Sequence, residues 1–275
     1  MKVGIVGLGL IGGSLGLSLK KSALDVEILG FDHNKSHCQD AKKLGLVDEI
    51  VSFDLIKSCD VIILAIPVEG IISSFIELVD VSEDTTIIDV GSTKYKITQM
   101  IPHSIRKNFV AAHPMAGIEK FGPTAAFDSL YEDQIVVLCD IKESGELQQK
   151  VAIDIFENIG MNIVYMGAKE HDLHAAYISH LPHAISYALA NSVLSQEDPK
   201  SILALAAGGF RSMSRIAKSS PDMWSDVFKQ NRENLLITLD TFSDELERIQ
   251  KMIVNEDWDE IREWMQNATT LHKIL

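Results

Sequence analysis

The run Ala112-His113-Pro114-Met115-Ala116-Gly117 sets one ionisable imidazole in a loop of small residues. Imidazole, with an ordinary pKa of about 6.5, accepts a proton at neutral pH, so His113 is a candidate general base. Upstream, Lys2-Val3-Gly4-Ile5-Val6 runs into Gly7-Leu8-Gly9-Leu10-Ile11-Gly12, a Gly-x-Gly-x-x-Gly turn between an apolar strand and an apolar helix. In that context the turn reads as a dinucleotide-binding loop. Gly7 permits the tight turn, Gly9 lets the backbone approach a pyrophosphate, and Gly12 lets helix and strand pack closely. Leu8, Leu10 and Ile11 complete the loop, and the helix N-terminus behind them faces the phosphates. A second strand, Glu27-Ile28-Leu29-Gly30-Phe31, ends at Asp32. A carboxylate there accepts from both ribose hydroxyls and repels a 2′-phosphate; of the neighbours His33, Asn34 and Lys35, only the lysine carries a full positive charge. NAD is therefore expected over NADP, and a nucleotide site beside a proton acceptor suggests an oxidoreductase.

Positioning these groups takes a sizeable scaffold, and 275 residues with 46% apolar content suffice for a core in one large or two modest domains. The formal net charge of −14 opposes binding to nucleic acid or anionic membrane surfaces, and obliges an anionic substrate to find a local cation. Cys38, Cys59 and Cys139 are odd in number and lack metal-ligand spacing. They read as reduced thiols, which predicts a cytoplasmic protein. The chain opens inside its first strand, leaving no room for a signal peptide, and no apolar run approaches the ~18 residues of a membrane span.

Apolar runs rich in β-branched residues at 60–66, 85–90, 109–112, 135–139 and 162–166 alternate with helical patterns. The alternation predicts a doubly wound parallel sheet, with strands such as Val61-Ile62-Ile63-Leu64 buried on both faces. In such a sheet ligands lie beyond the carboxyl ends of the strands, which gathers Ile66-Pro67, Gly91-Ser92 and His113 around one crevice. After residue 166 the pattern is helical only, at 169–194, 199–207, 210–218, 221–254 and 257–271. We expect residues 1–166 to form a cofactor-binding domain and residues 167–275 a helical one. The segment from Ala175 to Ala190 is apolar nearly all round, so it must be covered on every side; homodimer burial is one explanation and the centre of a monomeric bundle the other. Pro182 is expected to kink that helix. His171, His174, His180 and His183 include two His-x-x-His pairs without a matching cysteine or carboxylate constellation, so no metal is expected.

Gly91-Ser92, His113-Pro114-Met115-Ala116-Gly117 with Glu119, Ser179-His180-Leu181-Pro182-His183, and Gly208-Gly209-Phe210 through Ser214-Arg215-Ile216-Ala217 to Met223-Trp224 follow one another over nearly the whole chain. Together they resemble the prephenate/arogenate dehydrogenase family of tyrosine biosynthesis. The resemblance implies a Rossmann domain followed by an all-α dimerisation domain. It also implies oxidative decarboxylation of prephenate to 4-hydroxyphenylpyruvate, with hydride passing to NAD, or the same reaction on arogenate to give tyrosine directly. By resemblance His113 accepts the ring-hydroxyl proton, while Ser92 hydrogen-bonds His113 and either the substrate hydroxyl or the nicotinamide. Arg215 receives a substrate carboxylate, since its guanidinium fork stays charged and binds bidentately. His183 faces the substrate with His180 and Ser179 close by, and Glu119 stands at the mouth of the site.

The residues themselves leave other readings open. Ser92 is also a good helix N-cap, His180 and His183 also suit a histidine pair bonded to backbone near Pro182, and Glu119 also suits a solvated pair with Lys120. The family pattern has an acidic residue where Ser212 stands and threonine where Ile118 and Ser214 stand, which puts an ion-pair gate near Arg215 in doubt. A β-hydroxyacid dehydrogenase would use a lysine early in the long helix, where this chain carries histidines. A non-catalytic NAD-binding sensor would need neither His113 nor Arg215.

Overall fold

The computed structural model describes residues 1–274; Leu275, the last residue of the expected helical domain, lies outside them. Eight strands form one sheet: β1 Lys2–Val6, β2 Glu27–Phe31, β3 Glu49–Ile50, β4 Val61–Leu64, β5 Thr86–Asp89, β6 Phe109–Pro114, β7 Ile135–Cys139 and β8 Asn162–Met166. Their order is β3-β2-β1-β4-β5-β6-β7-β8. The expected parallel arrangement holds from β3 to β6 and between β7 and β8, but β6 and β7 run antiparallel. The reason is the connection: between Pro114 and Ile135 the chain makes only a short 3-10 turn at Pro123–Ala125, with no crossover helix to return it to the same end of the sheet.

Helices cover both faces. They are α1 Leu10–Lys21, α2 Lys35–Lys43, α3 Phe53–Ile56, α4 Val68–Leu78, α5 Tyr95–Met100 and α6 Glu146–Asn158. One face packs Ile5, Leu15, Ile63, Val110 and Phe156; the other packs Ile62, Leu64, Phe75, Ile87 and Phe109. Neighbouring residues of one strand thus enter opposite cores, which is why β4 shows no polar alternation.

From Ala168 the chain is helical: α7 Ala168–Ala175, α8 Leu181–Leu194, α9 Pro199–Ala204, α10 Gly208–Met213, α11 Pro221–Gln230, α12 Arg232–Val254 and α13 Trp258–Thr269. The long helix expected over 169–194 is helical throughout: α7 runs through a π-helical turn, Ala176–His180, directly into α8, with Pro182 just past the widened turn. The widened turn lies directly before the proline, where a regular helix would meet its ring and miss its N–H. The run 221–254 breaks at Asn231 for a different reason, since its amide is recruited by α7: Asn231 Nδ2 donates to the Asp172 carbonyl at 2.6 Å. Among the described residues no helix is long and apolar enough to cross a membrane.

Two sets of contacts fix the helical part against the strand ends. Asp226 on α11 accepts from the Val68 N–H at the start of α4 at 3.1 Å, and Lys229 pairs with Glu69 one residue further on. Deeper in, Lys94 is fully buried, and its ammonium pairs with Asp89 at the end of β5 and donates to the Ala112 carbonyl on β6 at 2.7 Å. That clamp sets the backbone immediately before His113. Removing one partner of a buried ion pair strands the other in the core. Lys94→Met should therefore lower unfolding free energy by about 3–5 kcal/mol in urea titrations; a loss below about 1 kcal/mol would show that the pair does not hold the strands.

Candidate active site

The C-terminal ends of β1, β4, β5 and β6 stand side by side, and the loops leaving them define the crevice. At β1 the glycine turn takes the form its sequence demands. Gly7 has φ +93°, and a Cβ on it would meet the Ala65 carbonyl; a Cβ on Gly12 would meet the Gly7 carbonyl. Gly9, by contrast, has nothing within 4 Å of where its Cβ would be. The first and third glycines are required by the protein's own packing, and the second leaves open space at the α1 N-terminus. That space adjoins a cleft of ≈ 510 Å³ lined by Gly7, Gly9, Asp32, Ile66 and Pro67, with Phe31 at one wall. Asp32 is pinned in place, its Oδ2 accepting from Leu8 N–H and its Oδ1 from Asn34 N–H, both at 2.8 Å. Lone pairs remain for a ribose diol. The turn, the orphan N–H groups of α1 and this carboxylate together fit a dinucleotide.

Leu8 and Leu10 contribute backbone to the loop while their side chains enter the core; Ile11 accepts from the Tyr131 hydroxyl through its carbonyl at 2.7 Å. His33 and His37 also line this cleft, and His37 Nδ1 lies 3.4 Å from Asp32. The sequence reading weighed the charge of His33, Asn34 and Lys35 beside Asp32 but did not single out His37.

His113 lies near the C-terminal end of β6, half-buried, with its Nδ1 2.8 Å from Nε2 of His171 on α7. His171 is buried and continues the line: its Nδ1 is 2.8 Å from Asp172 Oδ1. Asp172 in turn accepts from Lys94 N–H at 2.7 Å and Tyr95 N–H at 2.9 Å, which caps α5. Burial, aided by His171, Lys94 and His180 nearby, holds His113 well below its ordinary pKa, so the ring is neutral at neutral pH. Its Nε2 has no hydrogen-bond partner among the described residues.

The expected hydrogen bond from Ser92 to His113 is not formed. Ser92 follows β5 and carries no side-chain hydrogen bond among the described residues, and α5 begins too late for it to serve as the cap; Asp172, from another helix, does that work. His171 occupies the partner position instead. Sequence reasoning weighed His171 as a metal ligand and as one of the histidines that stand where a β-hydroxyacid dehydrogenase carries a lysine. The available signal was its place on α7, where Ala168, His171, Asp172 and Ala175 are the buried set: polar residues at inward positions must find polar partners.

His180 is buried and receives Asn231 Nδ2 at its Nδ1, 3.0 Å away; burial lowers its pKa to about 4. His183 is half-buried, donates from Nδ1 to the Ser179 carbonyl at 2.9 Å and stacks on Trp224, with ring centroids 3.4 Å apart; burial lowers its pKa as well. Ser179 thus meets His183 through its backbone. Arg215, in a 3-10 turn at Arg215–Lys218, forms an ion pair with Glu119 from the loop after β6, which draws the cation of the helical part over the His113 loop. Ser212 and Ile118 are exposed beside this pair, and neither contributes charge.

Comparison with known proteins follows the same division of the chain. Models described as the prephenate dehydrogenase nucleotide-binding domain and the prephenate dehydrogenase dimerization domain match residues 15–165 and 167–267. A prephenate dehydrogenase of Bacillus subtilis (strain 168) is 34% identical over 277 residues, covering 96% of this chain and 73% of that one. The crystal structure of prephenate dehydrogenase from A. aeolicus in complex with hydroxyphenyl propionate and NAD+ has a TM-score of 0.92 at 33% identity, covering 99% of this chain and 97% of that one. That of Synechocystis arogenate dehydrogenase has a TM-score of 0.82 at 28% identity, covering 99% of each chain. With both halves matched in order, the chain belongs to the prephenate dehydrogenase family.

Proposed function

We propose that this protein is an NAD-dependent prephenate dehydrogenase, converting prephenate to 4-hydroxyphenylpyruvate and carbon dioxide. The observation that carries the reading is a neutral His113 with Nδ1 engaged and Nε2 unpartnered, one strand from β5 and two from β4 in the crevice that holds the Gly7-to-Asp32 cleft. The glycine loop, Asp32, Ile66 and Pro67 would hold NAD, whose nicotinamide would supply the acceptor for hydride from the hydroxyl-bearing carbon. The chain's own work is to take the hydroxyl proton at His113 Nε2 and to hold the anionic substrate still. Arg215 serves the second task, exchanging Glu119 for a substrate carboxylate. Glu119 then marks the mouth of the site, and His183 on its Trp224 platform forms the wall beyond, with Ser179 and His180 behind it. Ser92, free of internal bonds, is available to the substrate hydroxyl or the nicotinamide.

We place the division between the two functional units after Met166, where the sheet ends. The helical unit supports a homodimer: its matching model is that of a dimerization domain, and Ile178 and Leu205 leave large apolar surfaces exposed on one chain. Cys38, Cys59 and Cys139 are unpaired, which suits the reducing cytoplasm. Arogenate is a second reading, favoured by the Synechocystis relative; prephenate leads because the more similar relatives act, by name, on prephenate.

The test is nicotinamide reduction with prephenate or arogenate and NAD or NADP in all four pairings. Fastest turnover with prephenate and NAD is expected; activity confined to arogenate would change the substrate, and none in any pairing would overturn the reading. Charge-assisted hydrogen bonds contribute about 1.5–3 kcal/mol, so Arg215→Ala should raise KM for prephenate about 10- to 100-fold and leave NAD affinity unchanged. An unchanged KM would remove Arg215 from the substrate site.

A further inference from the structure

The line His113–His171–Asp172 ends at the reacting imidazole, and hydrogen-bond accounting along it fixes which nitrogen of that imidazole is free. Asp172 accepts from two backbone N–H groups, one at each oxygen, and both oxygens are therefore acceptors. His171 Nδ1, 2.8 Å from Oδ1, must donate to it. A neutral ring carries a single N–H, so His171 Nε2 holds a lone pair and accepts from His113 Nδ1 across 2.8 Å. His113 then has its lone pair on Nε2, the nitrogen without a protein partner. We propose that His171, backed by Asp172, is a positioning residue that holds His113 in the Nε2-basic tautomer and shares the charge His113 acquires when it takes the substrate proton.

The inference rests on the functional reading above and adds to it a residue that the motifs did not single out. A histidine that merely filled the core would satisfy its nitrogens on backbone carbonyls. Both nitrogens of His171 meet ionisable side chains, and its carboxylate partner is itself held by α5 and, through its carbonyl, by Asn231. The step balances without another reactant. The hydroxyl proton moves to His113 Nε2, and the ring becomes cationic with Nδ1–H directed at His171 Nε2. The positive charge is spread along the pair toward the Asp172 carboxylate, and the proton returns to solvent after product leaves. Other charges around the pair are spoken for: Lys94 is bonded to Asp89 and the Ala112 carbonyl, and His180, also near, is bonded to Asn231. Asp172 is the negative group in direct contact with the relay.

The test combines a tautomer measurement with two variants. Long-range ¹H–¹⁵N correlation on unliganded protein labelled at histidine should show His113 with the proton on Nδ1, and His171 with the proton on Nδ1. His113 protonated on Nε2 in the neutral ring would overturn the proposal, whatever the activity. His171→Leu should lower kcat about 10²- to 10⁴-fold, the scale of general-base catalysis and of a base left in the wrong tautomer, with KM for prephenate and NAD affinity within about threefold of the parent. His171→Gln, whose carbonyl can accept from His113 and whose NH₂ can donate to Asp172, should recover at least tenfold of that loss. A Leu variant that is folded by circular dichroism and retains kcat within about threefold of the parent would refute the role. Failure of the parent to oxidise prephenate would count against the functional reading alone, because the tautomer is read without substrate.

Discussion

The architecture of the site depends on one buried ion pair. Lys94 enters a fully buried position between β5 and β6, pairs with Asp89 through Oδ2, and also donates to the Ala112 carbonyl. An unpaired charge there would be untenable, so the two strand ends cannot drift apart without exposing it. The same residue's backbone N–H goes to Asp172, which supports His171 and so His113. One side chain and its own main chain thus fix the base from two directions: through the strand that carries it, and through the helix that orients it. The sheet supplies the rest of the frame, because parallel strands packed on both faces leave little freedom at their carboxyl ends.

Much of this was legible in the residues. β1, β2, β7 and β8 follow the apolar runs to the residue, since a strand buried on both faces has a composition few other structures share. The glycine turn and Asp32 were equally legible, because their roles are steric and electrostatic demands on single residues. What escaped depended on contacts between distant segments. Periodicity cannot report that β7 turns back on β6, since direction is set by the connection and not by the strand. The break at Asn231 coincides with a bond to a partner 59 residues away, Asp172. The bond from Ser92 to His113 was expected from their shared crevice, yet His171, 58 residues further along the chain from His113, takes that place.

The electrostatics resolve an apparent conflict. A chain of net charge −14 repels a substrate with two carboxylates, yet Arg215 waits above the His113 loop with Glu119 as its resting partner. Exposed pairs of this kind contribute little to stability, so exchanging one carboxylate for another is nearly free. Beneath it the histidines lie in a desolvated region that keeps His113, His180 and His183 uncharged. A neutral base beside an exposed cation is an arrangement suited to proton removal from an anionic alcohol.

The most direct test of His113 as the base is single-turnover nicotinamide reduction by His113→Ala, with enzyme in excess over prephenate and NAD saturating. The account predicts NAD affinity equal to the parent's and a reduction rate lower by about 10³-fold or more, the scale of a lost general base. A variant that reduces NAD at the parent's rate would contradict it.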